Sequence, residues 1–333
     1  MSLAAPDTPS EAACLPARGM ELAGRLALGA SLVAILYVLW TPYLETAASA
    51  PGKILPILPR LCVFSLAALI ALLLRPAHPG NRLLGLAGVG LLVFHLGLLR
   101  WLDAAAAAAL WRSAPFAGQV VACLRFELSV LAAVMLGIWL GRGVHKPQHF
   151  LALLTCAAAG DIWASTFQVA ECAGGPPALS LLRAPWPPAA GHLGVSPGFL
   201  DLVVLAAIIE GAHNLRQPIF LVVAGAVSGY CGASFLALAG WPALSMSLCG
   251  CGVVLGCWPG LKCSRSQVAN AFLLGAALLA ILLALTTLRH KLHPPPPAKD
   301  YLLPYRNVAC VSFFNSFHNS HNSPGSYRSY GSY

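Results

Sequence analysis

Eleven acidic residues are spread along this chain of 333. Four of them, Glu127, Asp161, Asp201 and Glu210, fall inside stretches apolar enough for a lipid bilayer. A carboxylate at the bilayer centre costs roughly 2.5–3.5 kcal/mol on insertion scales, so such residues face a bundle interior or a water-filled cavity and are candidates for function. Asp161 and Asp201 are the pair with the clearest chemistry. Two carboxyls close together cannot both ionise, so the pair holds one proton over a wide pH range. The ionised member can activate a water while the protonated member polarises a carbonyl, which is acid–base hydrolysis by paired aspartates. A helical substrate would have to unwind locally before its backbone carbonyl was exposed.

The neighbours of each aspartate fit an inward-facing site. Ser165 is four residues beyond Asp161 and Gln168 seven beyond, so the three share one helical face, flanked by the small residues Ala157 and Ala158. The plain structural reading of Asp161 is a hydrogen bond to a neighbouring helix. Asp201 lies about one turn inside its segment, behind Gly194, Pro197 and Gly198, which allow close backbone approach. Glu210 falls on roughly the opposite face from Asp201, and with His213 and Arg216 it reads as an interfacial charge cluster. Arg125 and Glu127 point to different faces of one segment, and Glu127 is a candidate partner for Arg60. His95 reads as a hydrogen-bonded bundle residue.

These residues must be held by membrane helices. Hydrophobic residues make up 58% of the chain and charged residues 9%, against about 25% charged in soluble domains. The composition predicts an all-α, polytopic, integral membrane bundle, in a plasma or inner membrane if the source is prokaryotic. Nine apolar segments reach or approach the length needed to cross the hydrocarbon core: Leu22–Tyr43, Ile54–Leu74, Leu83–Leu99, Val120–Leu140, Phe150–Ala170, Gly198–Ala212, Ile219–Ala239, Ala243–Leu261 and Val268–Leu288. The net charge of +9 sits mostly in short Lys and Arg clusters between these segments. It therefore predicts headgroup anchoring and lipid partners, not nucleic acid. Lys and Arg divide almost evenly between alternate loops, with Arg142–His149 the best single cytoplasmic candidate. Cys62, Cys123, Cys156, Cys231, Cys249, Cys251 and Cys257 lie in apolar segments, which predicts packing rather than a disulfide framework. Cys249-Gly-Cys251 lacks the spacing of a zinc knuckle, so no metal site is implied.

The organisation follows: an N-terminal extension over 1–21, four helices over 22–149, a core of four helices over 150–261, a last helix over 262–293, and a tail over 294–333. The first apolar segment is expected to act as an uncleaved signal anchor. The longest internal connection, Glu171–Pro197, is rich in Pro and Gly and joins the two aspartate segments. The tail is dominated by Ser, Asn, Tyr, His and Gly and is expected to be disordered.

Asp161 in one helix, Gly198-x-x-Asp201 at the start of the next, and Pro242-Ala243-Leu244 ahead of a later helix together resemble the presenilin and signal-peptide-peptidase family of intramembrane aspartyl proteases. The likeness covers roughly Phe150 to Leu261. It implies catalytic roles for Asp161 and Asp201. It also implies that Gly198, Pro242, Ala243 and Leu244 shape the substrate channel, that a transmembrane helix is the substrate, and that no cofactor is needed. The competing expectation is a non-enzymatic membrane protein, either a small transporter or proton-coupled carrier with Glu127, Asp161 and Glu210 along a polar path, or a scaffold. A relative that keeps the family fold without its activity is a third.

Overall fold

The computed structural model describes residues 11–48, 57–74, 81–101, 115–172, 198–239, 244–257 and 260–292. Among them the chain is all-helical, with nine helices and no extended strand. These are α1 (Glu11–Ala48), α2 (Ile57–Leu74), α3 (Asn81–Trp101), α4 (Pro115–Gly141), α5 (Pro147–Cys172), α6 (Phe199–Asn214), α7 (Ile219–Ala239), α8 (Ser245–Cys257) and α9 (Arg265–Leu292). Stretches within α1, α4, α7 and α9 are long and apolar enough to cross a membrane, which marks a membrane protein. The tail and the connection over 173–197 lie outside the described residues.

Local chemistry sets the helix ends. Pro115 and Pro147 open α4 and α5, the first-turn position where a missing N–H costs nothing. Before α9, the Gln267 amide donates to Ser264 Oγ (3.3 Å) and the Ser264 amide donates to Gln267 Oε1 (2.9 Å), a reciprocal cap. At the end of α6 the Gln217 N–H reaches back to the Ala212 carbonyl (2.8 Å) and the Arg216 N–H to that of His213 (2.8 Å). Arg216 takes the left-handed conformation (φ 55°) that this C-terminal motif requires, and Pro218 follows it.

Helix α6 is the centre of the molecule, in contact with α2, α4, α5, α7 and α8. Leu202, Leu205, Ile208 and Ile209 are fully buried along it. Apolar helices gain little by leaving lipid for each other, so association depends on close packing. Glycines supply it. A Cβ on Gly137 of α4 would strike the Val203 carbonyl of α6, and one on Gly225 of α7 would strike the Gly252 carbonyl of α8. Gly229 likewise meets Leu248 and Gly256 meets Leu221, so Gly225-x-x-x-Gly229 and Gly252-x-x-x-Gly256 form the α7–α8 interface. Phe64 of α2 stacks on Tyr230 of α7 at 4.1 Å. Helix α9 lies beside α5, where Thr155 Oγ1 donates to the Ala271 carbonyl (2.8 Å) and Trp163 Nε1 to Thr286 Oγ1 (2.8 Å).

The pairings fix direction. Gly141 meets Ala207 and Glu210, so α4 and α6 run parallel and end together. Gly85 meets Trp139, so α3 begins at that same end. Arg25 of α1 donates to the Leu73 carbonyl of α2 (2.6 Å), bringing the start of the first apolar stretch to the end of α2. The α4–α5, α6–α7 and α8–α9 turns therefore gather at one end of the bundle. The helices differ from the sequence reading mainly in extent: α1 begins at Glu11 rather than Leu22, and α8 stops at Cys257.

Candidate functional site

Asp161 and Asp201 lie on adjoining antiparallel helices. Phe150 of α5 packs on Gly211 of α6. From that contact Asp161 is eleven residues further along α5 and Asp201 ten residues back along α6. Each lies about 20 Å along its helix from the end where α5 begins and α6 stops, at ~1.5 Å per residue. Cys249 of α8 is buried in the core. Its thiol donates to the Ala226 carbonyl at 3.1 Å.

Asp161 is held by the start of α8. Its Oδ2 accepts from the Ser247 amide (3.0 Å) and the Ser247 hydroxyl (3.2 Å), and the amides of Ser245 and Met246 also face the carboxyl. The first amides of a helix have no intrahelical acceptor. Asp161 supplies one from another helix, so it caps α8 across the helix interface. The expected hydrogen bond to a neighbouring helix is therefore present, and its partner is the turn that follows Leu244. The Leu244 carbonyl itself accepts from the Leu248 amide (3.1 Å).

Asp201 sits at the third position of α6. Its Oδ2 accepts from the Gly198 amide (3.2 Å), and its own amide donates to the Gly198 carbonyl (3.1 Å). A Cβ on Gly198 would press on the Asp201 carboxyl at 3.3 Å, so the glycine leaves room for the acid. Leu200 is 57% exposed, and its bulk faces away from the bundle. Pro242 and Ala243 lie outside the described residues, as do the side chains of Ser165 and Gln168.

Glu210 departs from the sequence reading. Instead of forming an interfacial charge cluster with His213 and Arg216, it is buried and pairs with Arg142 of α4 (Nε to Oε1, 3.5 Å). Its second oxygen has no hydrogen-bond partner. The partner is far away in sequence and reaches Glu210 only because α4 and α6 end together. His95 is buried in the bundle against the backbone of Arg125. Glu127 accepts from the Cys123 thiol one turn earlier (3.6 Å), and the side chain of Arg60, its expected partner, lies outside the described residues. Among the described residues, no three of His, Cys, Asp and Glu converge to hold a metal ion.

Sequence reasoning missed Ser247 and Cys249. A Ser-x-Ser pair opening an apolar helix was the available signal, since such residues mark helix starts. Nothing in the sequence shows that the cap comes from Asp161. No protein-family model, curated protein or solved structure matches the chain.

Proposed function

We propose that this chain is a multi-pass intramembrane aspartyl protease of the presenilin-like type, with Asp161 and Asp201 as its catalytic pair. The observation that supports this reading is the Phe150–Gly211 contact between the adjoining helices α5 and α6, from which Asp161 is eleven residues along α5 and Asp201 ten back along α6. A second support is where α6 and α8 start. Both begin at the level of the aspartates, so non-helical backbone at 198 and 244 flanks the pair. Irregular backbone at membrane depth is tolerated where it is buried in protein or lines a water-filled cavity.

The chemistry needs one carboxylate and one carboxylic acid. The carboxylate takes a proton from water as its oxygen attacks the peptide carbon, and the acid donates its proton to the carbonyl oxygen. Collapse of the adduct returns a proton to the departing nitrogen and breaks the C–N bond. Ser247 holds the Asp161 carboxyl in position, and Gly198 holds that of Asp201. The substrate is a transmembrane helix unwound at the scissile bond.

A hydroxyethylene peptide isostere imitates the water–peptide adduct and tests the reading. The wild type should bind it, and Asp161→Asn and Asp201→Asn should each weaken binding at least tenfold. Equal binding by all three proteins overturns the proposal.

A non-enzymatic scaffold is the second reading, favoured by one observation: Asp161 is engaged in capping α8. On that reading Asp161→Asn lowers stability, and no peptide bond is cleaved by the parent.

A further inference from the structure

Among the described residues, three turns at the end of the bundle opposite the α6 and α8 starts carry a basic surface. The α4–α5 turn packs on the end of α6, where the Asn214 side-chain amide donates to the Gly141 carbonyl (3.1 Å) and Val144 lies against Gly211. The α6–α7 turn packs on the α8–α9 turn, where Gln217 lies against Gly260. The three turns thus form one contiguous surface. Lys146, Arg216, Lys262 and Arg265 are exposed on it, together with His145 and His149. No acidic residue occurs in residues 141–150, 211–218 or 258–266. Glu210, the acid closest in sequence, is buried and occupied by Arg142.

The height of these cations along the bundle selects the partner. One apolar span ends at Gly141, one begins at Ile219 and one begins at Arg265. The exposed charges therefore lie within a few residues of the hydrocarbon boundary, at the level of lipid phosphates. Arg216 adds an independent sign. It holds a left-handed backbone conformation (φ 55°) in which glycine is the unstrained choice, yet the chain carries a long cation there. Strain of this kind concentrates at functional positions.

We propose that this face is a binding surface for anionic phospholipid headgroups, with Lys146, Arg216, Lys262 and Arg265 as the phosphate contacts. The proposal is independent of the protease reading.

The test is native mass spectrometry of protein released from nanodiscs of mixed phosphatidylglycerol and phosphatidylcholine. Wild type should retain phosphatidylglycerol with a roughly tenfold preference, and the preference should fall as salt rises. Combining Lys146→Gln, Arg216→Gln, Lys262→Gln and Arg265→Gln should bring it close to parity. Lys146→Gln with Lys262→Gln alters only two exposed side chains and should show an intermediate loss, so the test survives poor folding of the fourfold variant. Arg216→Gly should melt no lower than wild type in phosphatidylcholine while retaining less phosphatidylglycerol. Parity in the wild type, or a full preference in the two-residue variant, overturns the proposal. So does abolition of the preference by inorganic phosphate at matched ionic strength, which identifies a soluble anion as the partner.

Discussion

Ser247 donates twice to one oxygen of Asp161, from its amide at 3.0 Å and its hydroxyl at 3.2 Å. A residue early in α8 thereby fixes a carboxyl in the middle of α5. The contact is also part of the bundle's stability, because the first amides of α8 depend on it. Removing the carboxyl should cost more than removing the hydroxyl. Asp161→Ala should lower unfolding free energy by about 1–2 kcal/mol, as loss of a helix cap does. Ser247→Ala, which keeps the amide bond, should lower it by about 1 kcal/mol or less. Denaturation in mixed micelles, followed by tryptophan fluorescence, ranks the two. The reverse order would mean that Asp161 is not the cap.

The Arg142–Glu210 pair joins the ends of α4 and α6, with side-chain exposures of 16% and 7%. Breaking such a pair leaves one charge without its partner, at a cost of about 3 kcal/mol or more. Arg142→Met should therefore destabilise strongly. Arg142→Met with Glu210→Met should recover most of the loss, because two apolar side chains leave nothing unpaired. A double variant as unstable as the single one would assign the loss to packing of the Arg142 stem.

Glycines of the same helix pair should respond in opposite ways. A Cβ at Gly252 would collide with the Gly225 carbonyl, while one at Gly232 meets nothing within 4 Å. Gly252→Ala should destabilise by about 1–3 kcal/mol through overpacking. Gly232→Ala should be neutral or stabilise by up to about 1 kcal/mol, since glycine weakens a helix interior. Similar melting shifts in the two variants would contradict the close α7–α8 approach.

Cys263 lies in the α8–α9 turn, outside the spans. Burial pushes its thiol above the usual cysteine value. A raised value means less thiolate at a given pH, and the thiolate is the reactive form. Alkylation at pH 8 should be slower than that of glutathione, and the rate should keep rising at higher pH after glutathione has levelled off. Mass spectrometry of the peptide carrying Lys262–Arg265 measures it. A rate equal to or faster than glutathione would show that the nearby cations outweigh burial.

Element type was legible from composition and run length, and each of the nine apolar segments falls on a helix among the described residues, because apolar stretches bounded by charges leave few alternatives. Apolar content predicts the sixth segment over Gly198–Ala212, and it forms α6 at Phe199–Asn214. Apolar content predicts the eighth segment over Ala243–Leu261, whereas helix α8 is shorter, Ser245–Cys257, since apolar content alone does not reveal where a helix is capped. Asp161 and Asp201 could be singled out as acids within apolar segments from their surroundings. Partners across helices were not legible. Ser247 is 86 residues from Asp161, and the Arg142–Glu210 pair depends on α4 and α6 running parallel, which no local pattern encodes.

The most direct test of the Asp161–Asp201 assignment is cleavage of a single-pass reporter in proteoliposomes by wild type, Asp161→Asn and Asp201→Asn, with the new termini identified by mass spectrometry. Cleavage inside the reporter's membrane segment by wild type alone, with both variants inactive though folded, is the predicted result. Equal product from all three proteins, or from none, would contradict catalysis by this pair.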